Sequence, residues 1–432
     1  MNTQILHKKL YQLGDHPFSM GGILGLGFTL RIFLFAFLWP EVLIGDSTFF
    51  LEDAARILHG QPLDGYWPPA LAYFLALFLG VGLSAEWAGV TASLSLWFSL
   101  HVLWEKLGQH YLTRIQRNIG HLLWSVYPAF IYQSLVIQSY LPATVLFLAI
   151  VWMLHLRAKP IPLMVGVFMG ILVLLRPGFL GMLPVLVWLS WRKILPWRRW
   201  VMGLIPMTLL IGLWLVHIHA DTGRWVRIND ASAYNFYLGN NPWTPSLRSW
   251  WLGSHDVSDD PAFAGFVAER DSLGNLPADQ RQRGYTTCAV SHVAEAPFTF
   301  LGRVGMRFAN FWGFDSLAGG SLLAQHQVLG LIALGGDMLC FGWLMWIFIR
   351  GMGRASKEVR LFTLNMIFFF MVPYLIAFAH PTYHLPLLPP LLMIGLGVNK
   401  SQEQKNRKRL YFLVIGIFLL IQLLWIGQLI MR

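Results

Sequence analysis

Apolar runs of transmembrane length recur along this chain and leave little of it for a soluble core. A helix needs about 20 apolar residues to cross roughly 30 Å of hydrocarbon. Candidate spans lie at 20–39, 87–104, 120–138, 142–156, 161–175, 178–191, 200–219, 325–349, 361–380, 385–398 and 409–431. Only 12% of the 432 residues are charged, against roughly 25% in a soluble domain, which excludes an ordinary cytosolic enzyme and a disordered chain. The formal surplus of +11 sits in short runs between apolar stretches. That is the pattern of cytoplasmic loops facing anionic lipid, so no nucleic-acid partner is expected. Cys288 and Cys340 are too few for a disulfide framework. Trp39-Pro40-Glu41 follows the first apolar run where a cleavable signal would carry small residues, so none is expected. The fold class is an all-α polytopic membrane protein whose partners include membrane lipids.

Charge sets the expected topology. If the apolar stretch 67–83 spanned, Lys106, Arg114 and Arg117 would share a side with the acidic loop after the first helix, against the positive-inside rule. We therefore read 67–83 as interfacial or re-entrant. Lys8 and Lys9, Lys106 to Arg117, Arg157 and Lys159, Arg192 to Arg199, Arg350 to Arg360, and Lys400 to Arg409 then all lie inside. Outside remain 40–86, a long loop at about 220–324, and a turn at His380 to His384. The expectation is a bundle of about 11 transmembrane helices, N-terminus inside and C-terminus outside. It divides into an N-terminal transmembrane part (1–219), an outer-face loop region with an interfacial helix (220–324), and a C-terminal transmembrane part (325–432).

The outer loops hold most of the acidic residues, including Glu41, Asp46, Glu52, Asp53, Asp64 and Glu86 in the first and Asp221 through Asp315 in the second. The second is too long for a simple connection, and Trp243, Trp250 and Trp251 favour a folded flap at the membrane interface. In the first, residues 47–59 have helical periodicity, with Phe50, Ala54, Ile57 and Leu58 on one face and Ser47 as N-cap. This places a short amphipathic helix flat on the bilayer with Asp46 at its entrance. A carboxylate partly shielded there has a raised pKa suited to a general base; alternatively, Asp46 only caps the helix amides.

Gly45-Asp46-x-x-x-Phe50, the Gly60 turn and Pro68-Pro69 resemble the first outer loop of the C-type (GT-C) glycosyltransferase superfamily. The members concerned are the protein O-mannosyltransferases, the aminoarabinose transferases and their bacterial relatives. Leu175-Arg176-Pro177 with Leu183-Pro184 is similar to that family's arginine–proline element, and Asn235-Phe236-Tyr237-Leu238-Gly239-Asn240-Asn241-Pro242 to an outer-loop signature. Glu295-Ala296-Pro297-Phe298, running on to Phe311-Trp312, resembles the segment closing that loop. His380-Pro381-Thr382-Tyr383-His384-Leu385-Pro386 with Pro389 resembles a late Arg-Tyr…Pro…Pro motif. The match covers roughly residues 20–395, its motifs short but in the family's order.

The resemblance implies a GT-C-type bundle, Asp46 as catalytic base, a polyprenyl-phosphate sugar donor and a lipid, glycan or protein acceptor. It also implies a bacterial inner (plasma) membrane, with the active site on the outer or periplasmic face. Asp46 would take the proton of an acceptor hydroxyl attacking the anomeric carbon, with inversion, while cations hold the departing phosphate. Arg176 is favoured for that contact over a snorkelling role, and His380 and His384 are candidates because Thr382 stands where relatives often place arginine. Gln138-Ser139-Tyr140 likewise stands where many relatives carry Ser-Glu.

Other residues carry two readings each. Arg303 and Arg307 are one helical turn apart on the amphipathic segment 298–312, as lipid anchors or as donor-phosphate contacts. Arg31, within the first helix, reads as a structural ion pair or a snorkelling side chain. Asp53, beside Glu52, is a candidate acceptor or metal contact or simply part of a solvated face. Tyr66 and Trp67 are candidates to stack on a sugar, or interfacial anchors. No cofactor is certain. A divalent metal is possible, although Pro381 and Pro386 argue against the helix that an i, i+4 histidine pair would need. The rival functions are a lipid or solute transporter, and an inactive relative that binds lipid-linked sugar.

Overall fold

The computed structural model describes residues 19–38, 46–156, 161–192, 196–246, 248, 250–253, 255–323, 326–397 and 408–430. Lys8, Lys9, Gly45, Arg157, Lys159, Lys400 and Lys405 lie outside them, with Trp39, Pro40 and Glu41. The described residues are helical, with no strand among them.

The described residues begin with α1 (Met20–Leu38), then α2 (Asp46–Leu58) and α3 (Ala70–Gly80). Next come α4 (Ala85–Gly108), α5 (Arg114–Val126) and a short α6 (Pro128–Gln133). After these run α7 (Tyr140–His155), α8 (Ile161–Leu175), α9 (Leu183–Trp191) and α10 (Trp197–Thr222). The loop region holds α11 (Ala231–Gly239), α12 (Ala264–Gly274), α13 (Ala278–Glu295), α14 (Pro297–Phe311) and α15 (Leu317–Leu323). The chain closes with α16 (Gln327–Arg354), α17 (Lys357–Ile376), α18 (Leu388–Gly397) and α19 (Lys408–Ile430).

Five of these helices are long and apolar enough to cross a membrane: α1, α10, α16, α17 and α19. The pair α3–α4, bent by 115°, makes a sixth if counted as one span. The expected eleven are thus not all continuous helices, and proline explains the interruptions. Pro128 forces Tyr127 into an extended conformation and splits 120–138 into α5 and α6. Pro177 starts a 3-10 turn ahead of α9, and Pro381 and Pro386 leave only the 10 residues of α18 in the segment 385–398. At 1.5 Å per residue, the 15 residues of α8 reach about 22 Å. The 11 residues of α3 are too short to cross alone, as the interfacial or re-entrant reading of 67–83 requires.

Connectivity gives the bundle two dissimilar ends. Lys106, Arg114, Arg117, Arg192, Arg198, Arg199, Arg350, Arg354, Lys357 and Arg360 cluster where α4, α9 and α16 finish and α5, α10 and α17 start. The opposite end carries α2 and the loop region. There α11, α12, α13 and the 3-10 turn Trp251–Gly253 build a core of their own from Tyr237, Leu238, Leu252, Phe266, Leu273, Tyr285 and Ala289. The loop at about 220–324 is therefore a folded cap. Both cysteines are free.

Arg31 is neither ion-paired nor snorkelling. It is fully buried, donating to Ser134 Oγ (2.7 Å) and to the carbonyls of Ser125 (2.9 Å), Trp124 (3.1 Å) and Gly27 (3.1 Å), 4.3 Å from the centroid of the Trp97 ring. The carbonyls of Trp124 and Ser125 are available because Pro128 interrupts the helix in which they would otherwise be bonded.

Candidate functional site

Helix α2 begins at Asp46 and lays Phe50, Leu51 and Ala54 against α3, while Ser47 Oγ donates to Ile137 O at 3.2 Å. The fixed first turn presents Asp46 to a cavity of about 360 Å³, inside the range of roughly 300–1,000 Å³ typical of ligand pockets. Four of the sequence elements meet there: Asp46 with Trp67-Pro68, Arg176-Pro177, Asn235 of the loop signature, and Tyr383 of the late motif. Among its described lining residues Asp46 is the one carboxylate and Arg176 the one cation. The Asp46 side chain is accessible to the cavity, and the protein around it raises the pKa of its carboxyl by desolvation. The positive charge of Arg176 pulls it partly back.

Arg176 follows the last residue of α8, where Pro177 ends the helix. Its Nη1 donates to Ser139 Oγ at 2.8 Å, and its guanidinium lies 4.1 Å from the Tyr140 ring centroid and 5.2 Å from that of Tyr383. Tyr374 lines the same cavity. These side chains come from positions far apart in the sequence, so no spacing could have announced the aromatic cradle. Tyr140 and Tyr383 stood within quoted segments, but nothing singled them out. Flanking packing, including a 23° stack between Tyr140 and Tyr383, fixes the fork facing the cavity.

The aromatic candidates divide. Trp67 lines the cavity, its ring packed on Phe50 at 5.5 Å and Phe49 at 6.0 Å. Tyr66 sits edge-on to Trp67 at 5.2 Å but outside the lining, where burial raises its pKa. Asp53 lies two turns beyond Asp46 on the same face of α2, also outside the lining, in an ion pair with Arg56 at 3.6 Å. Burial and the neighbouring Asp64 push its carboxyl up to about 6.

Four phosphate candidates are placed elsewhere. Arg303 is buried and donates to Asn241 O at 2.9 Å and to Thr244 O. Arg307 is fully buried and donates to Leu375 O (3.0 Å), Ile376 O (2.9 Å), Asn240 Oδ1 (3.0 Å) and Gly239 O. Both arginines therefore clamp α14 to the cap, and neither anchors lipid nor faces the cavity. They also explain the Asn240-Asn241 pair. Asn240 Nδ2 donates to Ile376 O, while Asn241 Oδ1 accepts from the amides of Trp243 and Thr244, turning carbonyls toward the guanidiniums. Gly239 has to be glycine because a Cβ there would collide with the Ala377 carbonyl.

His384 is fully buried, stacked 4.6 Å from Phe341 and donating from Nδ1 to Phe311 O at 2.6 Å. His380 caps its turn through Thr382 and rests among Trp250, Trp425 and Tyr383. Neither lines the cavity, because the prolines around them wind the segment into a 3-10 turn that sends these rings into the core. Among the described residues no three His, Cys, Asp or Glu side chains converge to hold a metal.

Comparison of the chain with protein families, with curated proteins and with solved structures finds no match.

Proposed function

We propose that this chain is an integral-membrane inverting glycosyltransferase that moves a sugar from a polyprenyl-phosphate donor to an acceptor hydroxyl. The observation that carries this reading is the pairing of one desolvated carboxylate, Asp46, with one aromatic-braced guanidinium, Arg176, across a sugar-sized cavity. The five apolar helices support a membrane setting, within a bundle of about eleven passes completed by the shorter helices. The positive-inside rule puts the cavity on the outer face, opposite the basic end.

In this reading Asp46 accepts the proton of the acceptor hydroxyl as its oxygen bonds to the anomeric carbon. The bond from that carbon to the phosphate oxygen breaks, and polyprenyl phosphate leaves with the electron pair. Displacement from the opposite side inverts the anomeric centre. The leaving group is a stable phosphate monoester, so it needs charge neutralisation more than a proton, and Arg176 supplies a fork suited to it. Desolvation makes Asp46 a stronger base than a solvated aspartate, and only its ionised form works. Transfer should therefore fall, as pH drops, at a value above the ordinary aspartate pKa of 3.8.

The test is Asp46→Asn in nanodiscs supplied with radiolabelled polyprenyl-phosphate hexoses and pentoses, alongside mass spectrometry of lipids and surface glycans with and without the gene. Loss of transfer with donor binding retained is the expected result. Undiminished transfer, or substrate movement across the bilayer unaffected by the substitution, would point instead to a scaffold or a transporter.

A further inference from the structure

Helix α11 has two faces. Ala233, Tyr237 and Leu238 enter the core of the cap, while Ser232 and Asn235, three residues apart and so on one side of the helix, line the Asp46 cavity. Resting on the glycosyltransferase reading of that cavity, we infer that Asn235 is a specificity-determining residue whose amide binds adjacent hydroxyls of the donor sugar.

The fold gives Asn235 no structural task. Asparagine is a weak helix former because its side chain competes for backbone hydrogen bonds, so in a helix it usually serves a cap or a distant partner. Asn235 sits at the centre of the 9 residues of α11, away from both caps. No described residue bonds its side chain. The other asparagines of the segment contrast with it. Asn229 Oδ1 accepts from Ser232 Oγ at 2.6 Å, Asn240 Nδ2 donates to Ile376 O at 3.0 Å, and Asn241 Nδ2 donates to Tyr237 O at 3.0 Å. Those three hold the chain in place, and Asn235 presents a free donor and a free acceptor to the cavity.

An amide carries its donor and its acceptor side by side, and so do two adjacent ring hydroxyls. A pair of parallel hydrogen bonds is the contact that matches both. The amide is also held firmly enough to choose, because both ends of its helix are tied down. Asp230 N donates to Gly65 O at 3.0 Å and Ala231 N to Tyr66 O at 3.1 Å, which fastens the start of α11 to the residues just ahead of Trp67. Asp230 is ion-paired with Arg224 at 2.6 Å, and Asn240 ties the far end to α17. Trp67 shares the cavity and offers a flat apolar surface on which the ring carbons of a sugar can rest. A donor that lacks the matching hydroxyls leaves the Asn235 amide covered without partners, and that penalty is the discrimination.

The test measures binding to the full chain in nanodiscs by isothermal titration. The ligands are polyprenyl-phosphate glucose, mannose, galactose and arabinose, the single-deoxy analogues of the best binder, and bare polyprenyl phosphate. The wild type should bind the best donor roughly tenfold more tightly than the bare lipid phosphate, and lose about that factor when either of two adjacent hydroxyls is removed. Asn235→Ala should weaken the intact donor about as much, leave bare polyprenyl phosphate unchanged, and no longer distinguish the deoxy donors. Alanine is the better helix former and no bond within the fold is lost, so the melting temperature of the variant should not fall. Three results overturn the role of Asn235: wild-type discrimination kept in Asn235→Ala, equal weakening of every ligand including bare polyprenyl phosphate, or a wild type that binds sugar-bearing and bare lipid alike. Asp46-dependent transfer alongside any of them leaves the reading of the cavity standing, whereas a wild type that binds none of the sugar donors removes both.

Discussion

Replacing Arg307 by alanine separates a structural clamp from a ligand contact. In the fold its guanidinium serves four acceptors, the carbonyls of Leu375, Ile376 and Gly239 and the side-chain oxygen of Asn240. Ile376 O keeps a second donor in Asn240 Nδ2, so the loss concentrates on the other three. An acceptor left buried without a partner costs roughly 1–3 kcal/mol, and removing the buried cation returns part of that sum. The net destabilisation should be about 3–5 kcal/mol, as for breaking other buried charged contacts. At about 2–4 °C per kcal/mol for a chain of 150–250 residues, and less for a longer one, melting should fall by about 5 °C or more. Cys288 lies within the cap that Arg307 holds. In a Cys340→Ser background, which removes the other free thiol, a thiol-reactive fluorogenic dye during a thermal ramp therefore reads the opening of this region. Arg307→Lys keeps the charge but not the fork and should fall between wild type and alanine. A melting temperature unchanged in Arg307→Ala, with donor binding lost, would refute the clamp and restore the phosphate role.

Further outcomes follow from the same geometry. Asp53→Asn should gain stability over the wild type as pH rises from about 4 through about 6. A carboxyl raised to about 6 in the fold favours folding when protonated and loses that contribution above this pH; chemical denaturation at pH 4 and pH 8 measures the difference. Arg176→Lys should keep the fold and reduce transfer by about tenfold to a hundredfold, because a point charge cannot use the fork geometry; steady-state transfer rates with the melting curve distinguish this from unfolding. His384→Phe should leave donor affinity unchanged, since the ring contacts Phe311 O and not the cavity, and isothermal titration with the lipid donor checks it.

How far the sequence spoke depended on whether the determining contact was local. The helix at 47–59 was legible because Phe50, Ala54, Ile57 and Leu58 repeat at helical spacing, but α2 already begins at Asp46, so Ser47 lies inside it and bonds Ile137 O in place of capping it. Trp67 and Arg176 were legible through short local elements flanked by proline. The arginines of α14 were not. Their positions on one face of an amphipathic helix suit a lipid headgroup, and the acceptors that claim them lie about 60 to 70 residues away in sequence. The expected spans are not all single long helices for a related reason. Hydropathy averages over the proline residues Pro128, Pro177 and Pro386, whereas a helix is broken by a single one.

The same distinction bears on the residue that departs from the late motif. Thr382 is fully buried, bonded through its side chain to His380, while its neighbour Tyr383 turns the other way and lines the cavity. A long cation at 382 would have to displace this packing before it reached a donor phosphate. The cavity instead draws its positive charge from Arg176, held under the rings of Tyr140 and Tyr383 and bonded to the hydroxyl of Ser139, with Tyr374 in the same lining. A phosphate that leaves as a monoester gains charge on oxygen without needing a proton. One preorganised fork with neighbouring hydroxyl donors answers that need, and surrounding low dielectric strengthens each contact. On the proposed reading, the chemistry depends on Asp46 and Arg176 acting across the cavity, and Thr382 serves only to fix the turn that presents Tyr383.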